Sequence, residues 1–266
     1  MAITRRQWFM TFLLTTLTGL AFGALAQANV DWTQWREATC FPNHCFCEFR
    51  RPGAFVGQSS NAWSNLFYVL VAYAILHDRF ASVSKRFRIG LGAATLILGF
   101  GSWFYHSSLT FVGQWVDVFA MYLITTAIVL YNLVRARWLD DKDATAVFVV
   151  VNIVLAVLLI VAPGARRALF GASVAALVLT AFAVRYIRNH KFSNPYFFLG
   201  CGAFLVGQIV WILDSMGIVC VPTSPFQGHA FWHFACAVAL WLIYWFYRVE
   251  ADHHTFVALH SADEEE

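Results

Sequence analysis

Apolar residues dominate this chain in seven long runs, each separated from the next by a short polar stretch. The runs cover roughly 60–77, 89–109, 116–134, 145–162, 168–186, 195–214 and 228–247. Each is long enough to cross about 30 Å of hydrocarbon as a helix. Short connections favour helices that pack beside their sequence neighbours. The pattern therefore predicts an all-α fold, an integral membrane bundle of seven transmembrane helices.

A further apolar run precedes these seven. It follows the Arg5-Arg6 pair and extends to about Leu25, after which the sequence reads Ala-Gln-Ala. A basic start, an apolar middle and a small-x-small end are typical of a signal peptide. The length also permits an uncleaved transmembrane anchor, so residues 1–28 are predicted to be one or the other. Both interpretations place the chain that follows outside the cytoplasm.

The composition agrees with a membrane protein that has no second globular domain. Of the 266 residues 60% are hydrophobic and 12% are charged, whereas soluble domains carry about 25% charged residues. We expect an extracytoplasmic Cys-containing segment at 29–58, the seven-helix domain at 59–248 and a polar, acidic cytoplasmic tail at 249–266. The basic residues lie in short loops between helices, so no nucleic-acid surface is predicted.

Basic residues mark one side of the predicted bundle. They lie in the first, third and fifth loops: Arg79, Lys85, Arg86, Arg88, Arg135, Arg137, Lys142, Arg185, Arg188 and Lys191. The second and sixth loops have no Lys or Arg. The fourth loop, which contains Arg166 and Arg167, is the one exception to this alternation. Because cytoplasmic loops are enriched in Lys and Arg, the odd loops are predicted to be cytoplasmic. The protein is then a multi-pass cell (inner) membrane protein with its N-terminus outside and its C-terminus inside.

The six cysteines fall into two groups. Cys201 and Cys236 lie within apolar runs and are expected to be core residues. The other four lie outside the predicted spans, on the extracytoplasmic side: Cys40, Cys45, Cys47 and Cys220. One or two disulfides are expected there because that side is oxidising, but the pairing cannot be deduced from the sequence. The stretch CFPNHCFC also permits a zinc knuckle.

Five rare polar residues fall at one depth of the predicted bundle. Ser102 and His106 lie near the outer end of the second helix, Asp117 at the outer end of the third, and His229 and His233 in the outer half of the seventh. Ser102 and His106 are four residues apart, as are His229 and His233, so each pair shares one helix face. Ionisable residues at membrane depth usually mark a functional site.

This set has the composition of a catalytic zinc site. Three imidazoles that leave a fourth position for water are the usual ligands of a hydrolytic Zn²⁺, which lowers the pKa of the water to about 7. Asp117 is expected to orient or deprotonate the water, and Ser102 to hydrogen-bond to it or to a developing oxyanion. Asp214 is a weaker candidate for an acidic partner of a ligating histidine. Three polar residues of the first span are expected to join neighbouring helices by hydrogen bonds, or to line the cavity around the site: Asn61, Ser64 and Asn65.

The segments that carry these residues resemble the alkaline ceramidases. NAWSNLFYVL, GSWFYHSSLTFVGQWVDVFAMY and GHAFWHFACA are similar to that family and to its wider superfamily of seven-helix hydrolases and receptors, which includes the progestin and adiponectin receptors. The shared pattern is a serine four residues before a histidine, an aspartate eleven residues after it and a late HxxxH. It is matched at every position, by Ser102, His106, Asp117, His229 and His233. The resemblance covers about residues 45–247.

The resemblance implies a fold and an activity. By it, His106, His229 and His233 would hold Zn²⁺, with Ser102 and Asp117 as the catalytic residues around an activated water. The implied enzyme hydrolyses a linear amide C–N bond, converting ceramide to a sphingoid base and a fatty acid. A ceramide-like lipid would enter sideways from the bilayer while water comes from the outer face. The acyl length and the oligomeric state stay open.

One segment departs from the family pattern. Eukaryotic alkaline ceramidases carry an acidic, calcium-binding segment of the kind DWCEEN before the first helix, followed by a glutamate. Here Cys47 and Glu48 match its Cys-Glu, but Cys45, Arg50 and Gln58 replace an aspartate, an asparagine and the later glutamate. The nearby arginines also oppose cation binding. We therefore do not expect calcium dependence. Disulfides would stabilise this segment in place of a calcium ion.

Two alternative functions fit the same residues. One is hydrolysis of another lipid ester or amide, since some superfamily members act on glycerolipids or lipid anchors. The other is a receptor-like lipid-binding protein with structural zinc. The short acidic tail offers no signalling module, which favours an enzyme.

Overall fold

The computed structural model of the protein describes residues 3–41, 45–79, 83–187 and 195–263. Over these residues it contains nine α-helices and no β-strand: α1 (Arg5–Leu25), α2 (Ser59–Trp63), α3 (Leu66–His77), α4 (Lys85–Ser108), α5 (Phe111–Arg135), α6 (Asp141–Val161), α7 (Arg166–Ile187), α8 (Tyr196–Ser215) and α9 (Gly228–Asp263). Seven of these helices, α1 and α4 to α9, are long and apolar enough to cross a membrane. The predicted all-α membrane bundle is confirmed.

The predicted first span, 60–77, is a broken helix. It consists of α2 and α3, which are separated at Ser64 and Asn65. The Ser64 hydroxyl donates to the carbonyl oxygen of Asn61, and the Asn65 amide donates to the same oxygen and to that of Ala62. Side chains that bond nearby backbone carbonyls compete with the helical ladder. These polar residues therefore tighten the chain into a turn inside the bundle.

Helices α4 and α5 form a tight hairpin at one end of the bundle. Leu109 ends α4 in the left-handed region, with φ +53°, and its N–H donates to the Tyr105 carbonyl at 2.6 Å. Thr110 then caps α5 by accepting from the N–H of Gly113. The C-terminus of α4 and the N-terminus of α5 consequently lie side by side. This end is called the site end below.

The segment before α2 covers the site end. The N–H of Ala38 donates to the Leu109 carbonyl of the α4–α5 turn. The four cysteines predicted to lie outside the membrane form two disulfides, Cys40–Cys45 and Cys47–Cys220. The second ties this segment to the α8–α9 loop, while Cys201 and Cys236 are free thiols, as expected of core residues. Residues 45–58 are called the cap.

The opposite end of the bundle is held by buried polar contacts. The Asp78 carboxylate accepts from Arg248 Nε at 2.6 Å and from the Tyr244 hydroxyl at 2.9 Å. Arg135 on α5 pairs with Glu250 on α9. The helix α9 continues to Asp263, beyond its predicted end near 247. Arg188 and Lys191, which contributed to the predicted orientation, lie outside the described residues.

Candidate metal centre

Three buried histidines meet at the site end, one from α4 and two from α9. His106, His229 and His233 are at most 6% exposed, and one nitrogen of each lies within 4.8 Å of those of the other two. The ring centroids of His229 and His233 are 4.5 Å apart, and His106 lies 4.9 and 5.0 Å from them. The spacing of one helical turn in α9 thus aims both of its imidazoles at His106.

The geometry of this cluster suits one tetrahedral ion. The Nε2 atoms of His106 and His229 are 3.2 Å apart. Zinc–nitrogen bonds of about 2.0–2.1 Å at the tetrahedral angle place two ligand nitrogens about 3.3 Å apart. Three neutral imidazoles are also a donor set that Zn²⁺ prefers. The three histidines predicted as ligands therefore lie where they could hold one metal ion, and their donor set fits zinc.

A glutamine of the cap orients the first imidazole. Gln58 Oε1 lies 3.1 Å from His106 Nδ1, and Gln58 Nε2 donates to the Glu48 carbonyl at 2.7 Å. Because the amide nitrogen of Gln58 donates to Glu48, the amide oxygen of Gln58 faces the imidazole. This oxygen can only accept a hydrogen bond, so Nδ1 of His106 must carry the proton. This tautomer leaves the His106 Nε2 lone pair free for a metal.

Glu48 anchors the cap itself. Its two carboxylate oxygens accept the N–H groups of Ser60 and Asn61, each at 2.8 Å. Burial raises the pKa of Glu48, and these two hydrogen bonds oppose that rise. Glu48 therefore fixes the start of α2 to the part of the cap that carries Phe46.

The broken span orients a second imidazole. Ser64 Oγ lies 2.7 Å from His233 Nδ1 and donates its own proton to the Asn61 carbonyl. The serine must then accept from the ring, which places the proton of His233 on Nδ1 and the lone pair on Nε2. Ser64 thus joins the broken span to α9, which is the first of the two roles predicted for it. The interruption between α2 and α3 thus gives a metal-ligating candidate its outer partner.

The third imidazole is covered by an aromatic ring. Phe46 of the cap stacks on His229 with ring centroids 4.0 Å apart. His229 Nδ1 is buried and has no hydrogen-bond partner among the residues that the structure describes. Asp214, the predicted acidic partner, instead accepts from the backbone N–H groups of Cys47 and Gly228. That prediction was wrong, because the carboxylate caps the start of α9 rather than contacting an imidazole.

Ser102 lies one helical turn from His106 on α4, and Asp117 on α5 lies close to Ser102. A Cβ atom at Gly101 would lie 2.7 Å from Val116 Cγ1 and 3.4 Å from the Asp117 nitrogen. The absence of a side chain at Gly101 thus lets the backbone of Asp117 approach α4 next to Ser102. The Ser102 hydroxyl is 1% exposed and lies within reach of the Asp117 carboxylate. The two predicted catalytic side chains therefore face each other.

Sequence reasoning did not identify the residues that orient the imidazoles. Gln58 was considered only as a replaced calcium ligand, and Ser64 only as a polar residue between helices or beside the cavity. Phe46 gave no signal at all, because an aromatic residue in a cysteine-rich loop has no distinctive pattern. The one available signal was the polarity of Asn61, Ser64 and Asn65 inside an apolar run.

Comparison with known protein families gives one match. Residues 46–255 match the family described as Ceramidase, a region that includes Ser102, Asp117 and the three histidines. No curated protein matches the chain. The family implies a ceramide-hydrolysing enzyme that acts on an amide bond and takes a lipid substrate. The matched region covers well over half of the protein, and the chain therefore belongs to the ceramidase family.

Proposed function

We propose that this protein is a zinc-dependent, alkaline-type ceramidase in which His106, His229 and His233 hold the ion. The observation that carries this proposal is the convergence of three buried imidazoles on one point. Two of them are oriented by hydrogen bonds at Nδ1. A merely structural histidine cluster would not need its free nitrogens turned toward one another. A bound zinc ion lowers the pKa of water to about 7 and polarises a carbonyl oxygen.

Asp117 and Ser102 have the catalytic roles in this proposal. Asp117 accepts a proton from the attacking water as its oxygen bonds to the amide carbon. The Ser102 hydroxyl, which lies within reach of the Asp117 carboxylate, donates to the oxyanion that forms. When the C–N bond breaks, Asp117 returns the proton to the leaving nitrogen. The products are a fatty acid and a sphingoid base.

The orientation of the site in the membrane has independent support. Both disulfides lie at the site end, and structural disulfides persist on the oxidising side of a membrane. At the other end lie the basic loop residues, among them Arg79, Arg86 and Arg137. We therefore place the site in the outer half of the membrane, with the N-terminus outside and the C-terminus in the cytoplasm.

The decisive test is hydrolysis by the purified full-length protein in lipid nanodiscs. Ceramide with a labelled acyl chain should release labelled fatty acid, and EDTA should stop this release. Added Zn²⁺ should restore it, and added Ca²⁺ should not. His229→Ala should lose both the zinc, measured by elemental analysis, and the activity. The matched control is His77→Ala, because His77 lies at the opposite end of α3 and should leave zinc content unchanged.

The two catalytic roles have separate expectations. Ser102→Ala should lower kcat about 100- to 1,000-fold, as expected for an oxyanion donor. Asp117→Asn should lower it about 100- to 10,000-fold. Both variants should keep their zinc. A protein that binds stoichiometric zinc but cleaves no ceramide, glycerolipid or other lipid amide would refute the enzymatic proposal and favour a receptor-like role.

A further inference from the structure

The helix α1 is docked on the bundle by specific contacts, although it lies outside the region that matches the family. Gln7 Nε2 donates to the His77 carbonyl at 2.5 Å, and Thr11 Oγ1 lies 2.9 Å from His77 Nδ1. About two turns further on, Thr18 Oγ1 lies 3.1 Å from the Tyr73 hydroxyl. These contacts join α1 to α3 over half the thickness of the membrane. A helix that is only a leader does not need polar partners inside the bundle.

An aromatic stack fixes the outer half of the same helix. Phe22 is 1% exposed and stacks on Trp103 of α4 with ring centroids 4.1 Å apart. It also meets Phe100 edge to face at 5.0 Å. Aromatic pairs in these geometries attract each other beyond the effect of their buried area. Trp103 directly follows Ser102, so α1 contacts the helix that carries the proposed oxyanion donor.

A cavity of about 540 Å³ lies between α1 and the rest of the bundle. On α1 it is lined by residues from Leu14 to Leu25, a length of about 16 Å at 1.5 Å per residue. Its far wall includes Gly101 and Val116. These two residues directly precede Ser102 and Asp117. The cavity therefore lies one residue away from the proposed catalytic pair on both α4 and α5.

The chemistry of the cavity suits a hydrocarbon chain. Its lining is apolar except for Thr18 and Tyr73, which hydrogen-bond to each other, and the indole N–H of Trp103, which has no hydrogen-bond partner among the described residues. The rim residues Leu17, Leu25 and Phe100 are apolar and exposed, so the cavity opens toward the bilayer. Its volume falls within the range of about 300–1,000 Å³ that is usual for ligand sites. A lipid chain could thus enter directly from the membrane.

We infer that α1 is retained in the mature protein and forms one wall of a binding pocket for a hydrocarbon chain of the lipid substrate. This inference rests on the proposed function for the identity of the lipid, but the retention of α1 and the occupancy of the pocket can be tested without turnover. It also decides between the two interpretations of residues 1–28, in favour of the anchor.

The first experiment measures whether α1 is present. The protein is produced with a C-terminal tag, purified from membranes and weighed intact by mass spectrometry. The expected mass includes α1. A mass that corresponds to cleavage after Ala28 would overturn the inference, whatever the activity of the preparation.

The second experiment locates the lipid chain. The purified protein in nanodiscs is irradiated with ceramide that carries a diazirine in its acyl chain, and labelled peptides are identified by mass spectrometry. We expect label on α1 and competition by unlabelled ceramide. Ala21→Trp places a large ring in the pocket and should lower the labelling of α1 about tenfold, since it displaces several buried methylene groups.

The matched control is Ala24→Trp, the same substitution on the same helix at an exposed residue that does not line the pocket. In the Ala24→Trp variant, α1 should be labelled to the same extent as in the wild type. Equal labelling of the two tryptophan variants, or no label on α1, would overturn the pocket. Labelling that depends on Ala21 in a protein with no hydrolytic activity would support the pocket while refuting the proposed function. Hydrolysis with no labelling of α1 would overturn the pocket while supporting the proposed function.

Discussion

The hydroxyl oxygen of Ser64 lies 2.7 Å from Nδ1 of His233, although the two residues are 169 positions apart in the chain. The interruption of the first predicted span creates this contact, because an uninterrupted apolar helix would have no polar group to offer. The serine in turn donates to the Asn61 carbonyl. A local break in the backbone is thus linked to the tautomer of a candidate zinc ligand.

The first prediction concerns this serine. Ser64→Ala removes the acceptor of His233 Nδ1, and loss of such an outer partner typically lowers metal affinity about 10- to 100-fold. Zinc affinity should be measured by competition with a chelator. The control is Ser107→Ala, a buried serine whose hydroxyl donates to the Trp103 carbonyl within α4. Equal affinities in the two variants would show that Ser64 does not support the ligand.

Much of this site was predictable from the sequence, for a physical reason. Helical periodicity and the high cost of polar groups in lipid together place His106, Asp117 and His233 at one depth. Both arguments depend only on residue type and spacing, so they need no knowledge of side-chain packing.

The orienting residues were not predictable in the same way. Gln58, Ser64 and Phe46 reach the imidazoles through an interrupted helix and a loop, and neither has a fixed period. The disulfide pairing and the role of Asp214 likewise depend on how the cap folds over the bundle. These features depend on tertiary contacts, which the pattern of hydrophobic residues along the chain does not predict.

The second prediction tests the close approach of α4 and α5. In Gly101→Ala the new Cβ would lie 2.7 Å from Val116 Cγ1 and 3.3 Å from the Val116 carbonyl carbon. Overpacking costs about 1–3 kcal/mol, whereas Gly→Ala in a helix otherwise gains about 0.5–1 kcal/mol. Because valine has little rotamer freedom in a helix, we expect the strain to exceed the gain.

The matched control is Gly90→Ala, on the same helix with open space around the new Cβ. It should unfold at the same or a higher temperature than the wild type, whereas Gly101→Ala should unfold at a lower one. Gly101→Ala should also reduce ceramide hydrolysis, because it moves Asp117 away from Ser102. Identical melting curves for the two variants would contradict the close approach.

The third prediction concerns the disulfide between Cys47 and Cys220. It ties the cap to the α8–α9 loop, next to the ring of Phe46 that covers His229. Cys220→Ser should lower the free energy of unfolding by about 2–4 kcal/mol and should slow hydrolysis. A reductant should have the same effect on the wild type. Cys201→Ser, which removes a free thiol, should change neither the stability nor the rate of hydrolysis. A Cys220→Ser protein with the stability and activity of the wild type would show that the cap is held by other contacts.

The fourth prediction concerns the end of the bundle opposite the site. Asp78 and Arg248 form a buried ion pair with an N–O distance of 2.6 Å. Asp78→Asn removes one charge of the pair, which typically costs about 3–5 kcal/mol. Asp143→Asn, at an exposed position on α6, should cost far less. Thermal unfolding should separate the variants, and folded Asp78→Asn should keep its zinc, since the pair lies away from the histidines.

The division of the three histidines between α4 and α9 determines when the centre can form. His106 is synthesised in the first half of the chain, whereas His229 and His233 belong to the last membrane helix. Until α9 has been inserted beside α8 and α3, which it contacts, the nascent protein offers a single imidazole. One imidazole cannot hold a zinc ion tightly. If the centre holds an ion as proposed, the ion would therefore be acquired only after α9 has been inserted beside α4.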